Sequence, residues 1–121
     1  MYFRKFCLSE EISVFDDTTR VANIANAHID LMMQYHNELP DKWTVSATKD
    51  ILLRIIPENF IATKDFYEMY GDVMIAFLEM CERDTGKSQE HLIACIEDNK
   101  DEIVVLASEY NNFDEMEQDI Y

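Results

Sequence analysis

Glycine and proline are nearly missing from this chain, with two of each in 121 residues. An all-β sandwich or barrel needs a turn signal about every 8–12 residues, so that class has too little turn material here. Cysteine is scarce and odd in number: Cys7, Cys81 and Cys95 are widely spaced with no CxxC, which argues against a disulfide framework or a closed zinc site and fits a reducing cytosol. No apolar run approaches the roughly 18–20 residues of a membrane span. Arg4-Lys5 precedes only Phe6-Cys7-Leu8 before Ser9-Glu10-Glu11, too short for a signal-peptide core. The reading is therefore cytoplasmic, with no membrane partner. Bases are few as well: 10 Lys and Arg stand against 25 Asp and Glu, for a net charge of -15. Such a chain is repelled by phosphate backbones and anionic lipid, so direct nucleic-acid binding is not expected.

What remains is rich in apolar side chains. A hydrophobic content of 48% is too high for a disordered chain despite the charge, and the length suits a single domain over residues 1–121. The organising stretch is residues 63–83. There Phe66, Tyr70, Val73, Phe77 and Cys81 recur at spacings of 4, 3, 4 and 4, with Tyr67, Met74 and Leu78 on the adjoining flank. That is helical periodicity with an apolar stripe too wide for a coiled-coil seam. Met69, Ala76 and Met80 add apolar surface to the far side, which leaves Glu68, Asp72, Glu79 and Glu82 as the polar face. A helix so apolar belongs at the centre of the fold. Thr63 and Gly86 suit its two ends, while Gly71 allows a kink or a break, with Asp72 able to cap a fresh start.

Other helices flank it. Asp16-Asp17-Thr18-Thr19 offers N-caps before Val21, Ile24, Ala25, His28, Leu31, Met32, Tyr35 and Leu39, a series that ends near Glu38 or Leu39 ahead of Pro40. Trp43, the single tryptophan, is expected to anchor the following turn. Thr44 or Ser46 caps a shorter helix with Ala47, Ile51, Leu52, Ile55 and Ile56 buried, stopped by Pro57, after which Phe60-Ile61 returns to the core. Ser88 caps a helix carrying Leu92, Ile93 and Ile96. The polar run Asp98-Asn99-Lys100-Asp101 reads as a turn before a fifth helix from about Glu102, with Ile103, Val104, Leu106, Ala107 and Tyr110 inward, although one continuous helix also fits. The expected fold is an all-α compact bundle of about five helices around residues 63–83. Residues 1–15 stay unassigned, with aromatics that should tuck against the bundle; residues 111–121 form an acidic tail, either a short docked helix or a frayed segment.

Chemistry-bearing patterns are sparse. His28 falls on the buried stripe and His36 about 80° round the helix from it, so they form no metal clamp. His91 and Cys95, spaced four apart, share a helix face and form the one candidate metal pair, short of the ligands that a closed site requires. Cys95 lies among Glu97, Asp98 and Glu102, which disfavour a thiolate nucleophile. There is no Gly-rich phosphate loop, GxSxG, HExxH or EF-hand spacing, so no cofactor is implied. The helix pair near residues 44–83 has the wrong charge for a helix-turn-helix, because its second helix opens with Lys64, Asp65, Glu68 and Asp72.

Charge gives the remaining clue. Residues 1–81 carry 13 acids and 7 bases, net -6, whereas residues 82–121 carry 12 acids and 3 bases, net -9. The expectation is a small acidic interaction or regulatory module for a protein partner with a basic surface, in its sharper version an inhibitor or immunity-type binder that imitates phosphate charge. The candidate contacts are Glu109, Phe113, Asp114, Met116 and Glu117. The alternative is a metal- or small-ligand-binding helical enzyme using His91 and Cys95.

Overall fold

The computed structural model describes residues 6–8, 11–15, 17–60 and 62–110. Four helices make the fold, joined by short connections, and no strand occurs among the described residues. A 3-10 turn at Glu11–Val14 precedes α1, Thr18–His36; a second, Pro40–Lys42, leads into α2. Helix α2 runs without a gap through Val45–Asp50, a π-helical turn at Ile51–Ile55, and Ile56–Asn59. Then follow α3, Lys64–Thr85, and α4, Glu90–Tyr110. None of the described helices is long and apolar enough to cross a membrane.

Helix α3 is the centre, as its stripe requires. Tyr67, Tyr70, Val73, Met74, Phe77 and Leu78 have no exposed surface, and α3 packs chiefly on α4 and α1. Phe66, placed first in the stripe, is only half-buried and stacks on Phe60. Phe6 and Ile12, from the unassigned N-terminal stretch, are buried, and Phe6 meets Phe77 edge-on at 5.5 Å between ring centroids.

The helix ends show which residues do the work. Asp17 caps α1 by accepting the Arg20 N–H at 3.0 Å. The helix stops at His36 rather than near Leu39, because Asn37 adopts the left-handed conformation (φ 53°) and its N–H reaches the carbonyls of Met32 and Met33. Tyr35 and Leu39, expected inside, are 46% and 52% exposed. Past the end, the Glu38 carboxylate accepts the Thr44 N–H at 2.9 Å, its carbonyl accepts the Trp43 indole N–H at 3.2 Å, and Thr44 caps α2 through the Ala47 N–H. Trp43 is buried in this turn, as an anchor should be. Thr63 is the N-cap residue of α3 in extended conformation, without a side-chain capping bond, and Gly86 ends that helix at φ 70° with its N–H on the Glu82 carbonyl.

Three interior positions depart from expectation. Pro57 does not end α2, which continues to Asn59. A proline ring ordinarily crowds the carbonyl four residues back and removes an N–H from the ladder; here the preceding turn is π-helical, with the Ile56 N–H bonded to the Ile51 carbonyl, and the wider turn shifts the bonding register just ahead of Pro57. Gly71 does not break α3. It is buried, and a Cβ placed on it would stand 2.5 Å from the Lys100 Cβ, so the residue is where the backbone of α3 approaches α4. Nor is there a turn at residues 98–101: α4 is one helix, and the described residues form four helices instead of five. The buried positions Leu92, Ile96, Ile103 and Ala107 stay in helical phase across that polar run, and Lys100 itself lies on the seam.

Candidate functional site

Once α4 is a single helix, its outer face becomes a continuous surface. Glu90, Glu97, Asp98, Asp101, Glu102 and Glu109 are all exposed along it, in the i, i+3, i+4, i+7 relation of one side of a helix. Val105 lies on the same side at 56% exposure, between the carboxylates of Glu102 and Glu109. The one Lys or Arg of α4, Lys100, offsets little of this charge. Its Nζ is 3.2 Å from Asp72 Oδ1 and 3.3 Å from Glu97 Oε2, and those bonds, Asp72 first, hold its ammonium pKa above the ordinary value.

Of the residues singled out from sequence, Glu109 is exposed on the last turn of α4, while Phe113, Asp114, Met116 and Glu117 lie outside the described residues. His91 is exposed near the start of α4, and Cys95, one turn on, is buried. Burial pushes the Cys95 thiol pKa up, the Asp98 carboxylate adds to that, and Lys49 and the Asn99 amide act in the opposite direction. Asn99 is turned inward to that turn, donating to the Cys95 carbonyl at 2.7 Å. Among the described residues no three His, Cys, Asp or Glu side chains converge as a metal site would need.

Two polar arrangements escaped the sequence reading. His28 is fully buried, and its Nδ1 lies 2.6 Å from the Tyr70 hydroxyl of α3. The imidazole sits between rings: Trp43 is 5.1 Å away centroid to centroid and Tyr70 5.8 Å. Nothing in the chain signals that pair, since its members are 42 residues apart. At the other end of α1, His36 Nε2 donates to Asp50 Oδ2 at 2.8 Å, and Arg54 grips the same carboxylate with Nε and Nη2 at 2.5 and 2.9 Å. The Asp50–Arg54 spacing of four is a readable helix pair; the contribution of His36 is a tertiary contact.

The acidic outer face of α4 thus gathers six exposed carboxylates, and the helix's own Lys100, partly buried at the seam with α3, is already shared between Asp72 and Glu97. No protein-family model, curated protein or solved structure matches this chain.

Proposed function

We propose that this protein is a binding module whose acidic α4 face receives a basic surface of a protein partner. The observation behind this reading is the row of exposed carboxylates along one side of α4, Glu90, Glu97, Asp98, Asp101, Glu102 and Glu109, with His91, Ala94 and Val105 set among them. Exposed carboxylates raise the association rate with a basic surface and impose salt sensitivity, while an apolar residue within the row supplies area to desolvate on contact. Glu109 closes the row, and Phe113, Asp114, Met116 and Glu117 follow it in sequence as the candidates for extending the contact. In the sharper form of the proposal, the row imitates the spaced negative charges of a phosphate backbone, and the protein inhibits a nucleic-acid-binding partner by occupying its groove.

The test is a charge reversal on the face itself. Asp98, Glu102 and Glu109 are exchanged together for Lys, and wild type and variant are used as baits at about 50 mM and 500 mM salt, a range over which screening shortens from above to below about 10 Å. A partner retained by wild type at low salt, released at high salt and missed by the variant supports the reading. Retention of the same partner by the variant with unchanged affinity removes α4 from the interface.

A further inference from the structure

His28 is an ionisable imidazole buried in the core, with Tyr70 as its one hydrogen-bond neighbour among the described residues. His28 has no exposed surface; Nδ1 bonds the Tyr70 hydroxyl, and Nε2 meets no hydrogen-bond partner among the described residues. The groups around it are few. From α3 the facing titratable group is Tyr70, itself fully buried; from the turn before α2 it meets the uncharged Trp43 indole, and burial is what acts on the imidazole among the described residues. A neutral imidazole keeps one nitrogen bonded to the hydroxyl and leaves the other unpartnered but uncharged. An imidazolium does not, because both nitrogens become donors: Nδ1–H then has to donate to the Tyr70 oxygen, the tyrosine proton loses its acceptor, and Nε2–H carries charge into apolar surroundings.

We propose that the His28–Tyr70 contact is an acid-sensitive joint between α1 and α3, which closes on the neutral imidazole and opens when His28 takes up a proton. Opening separates α1 from the central helix, since His28 on α1 stands between Tyr70 of that helix and the Trp43 ring. Burial lowers the imidazole pKa from 6.5 to about 3 in the closed form. The sign follows: below pH 6.5 the open chain binds the extra proton and the closed one does not, so closure weakens as pH falls from about 6.5 toward 3, by about tenfold for each pH unit well inside that window. Above pH 6.5 the joint is insensitive to pH. Neutralisation of the 25 carboxylates relieves self-repulsion as pH falls and acts the other way, so the measurement must be differential.

Trp43 is the single tryptophan and reports the joint directly. Urea unfolding followed by its emission at pH 7.5, 6.5, 5.5 and 4.5 is compared between wild type and His28→Gln, which keeps a polar side chain but cannot titrate. The expected result is that the wild-type unfolding constant rises relative to that of the variant by about 100-fold between pH 7.5 and 4.5. Equal pH dependence in the two proteins overturns the joint. Should His28→Gln not fold, the imidazole carbon and nitrogen resonances of wild type decide the matter. A His28 ring that stays neutral in the folded protein at pH 5 upholds the proposal, and a folded-state His28 titrating near 6.5 overturns it.

Discussion

His28 and His36 stand on the same helix, two turns and a little apart, and hold α1 to its neighbours by opposite means. The inner one belongs to a column of rings, Tyr70, His28, Trp43, Phe77 and Phe6, in which each centroid lies between 5.1 and 5.8 Å from the next. The outer one belongs to a corner with Asp50 and Arg54, where the His36 and Asp50 side chains are about a quarter exposed and Arg54 more than half. In the column, water is excluded, packing carries the energy and one added charge is intolerable. At the corner, three charged or chargeable groups meet at good distances, yet water and salt screen them, so the more numerous polar bonds hold the weaker joint.

Phe77 is the sharpest place to break the column. It has no exposed surface and touches both Trp43, at 5.6 Å between centroids, and Phe6. Truncation to Ala should cost about 3–5 kcal/mol through lost transfer energy and the cavity left between three elements. That is a large share of a small domain's stability, and the urea midpoint should fall accordingly. A shift under about 1 kcal/mol would mean that the rings are not the structural axis of the fold.

Gly71 tests the opposite side of α3 with a smaller effect of the less intuitive sign. On helix propensity alone Gly71→Ala gains up to about 1 kcal/mol. The added methyl, however, would meet the Lys100 Cβ at 2.5 Å, an atom too close to its own backbone to swing away, so α3 and α4 must separate. Overpacking of this kind costs about 1–3 kcal/mol, and net destabilisation is the expected outcome in thermal unfolding. Lys100→Ala keeps the offending Cβ and should not rescue it, whereas Lys100→Gly should. A stabilised Gly71→Ala protein would refute the close approach.

How much of this was legible in the residues follows from the range of each signal. The central helix, its apolar stripe and the helix of His28 were readable because 3.6-residue periodicity is local and repeats many times. The continuity of α4 was also present, since Ile96 and Ile103 lie seven apart and keep phase across Asp98-Asn99-Lys100-Asp101, but the polarity of those four residues outweighed the phase. Pro57 misled because a π turn upstream is not encoded in any local pattern we can name. Gly71 read as a weak point because the backbone it accommodates arrives 29 positions later, at Lys100. For the candidate site, the acidic excess of residues 82–121 and Glu109 were visible, whereas the alignment of Asp98, Asp101 and Glu102 into one face depended on α4 being unbroken. The Tyr70 partner of His28 was not legible, being a tertiary contact between two helices.

The corner should give the smallest effect, and its dependence on conditions distinguishes it from the column. Arg54 bonds first, and His36 after it, hold the Asp50 carboxyl below its ordinary value of 3.8 against the contrary effect of burial. A carboxylate whose folded pKa is depressed contributes stability that is fully present above its unfolded pKa and is lost as pH falls through the folded one. At pH 7, Asp50→Ala should therefore cost no more than about 1 kcal/mol, because Arg54 is exposed and a long side chain must be ordered to make the pair. The cost should shrink at about 0.5 M salt and again as pH falls below 3.8, where the unfolded chain takes up a proton at Asp50 before the folded protein does. Phe77→Ala, by contrast, should cost as much in high salt as in low. Unfolding of both variants in parallel at two salt concentrations reads the difference. An Asp50→Ala penalty above about 2 kcal/mol that ignores salt would show the corner to be desolvated and the two ends of α1 to be held by the same physics.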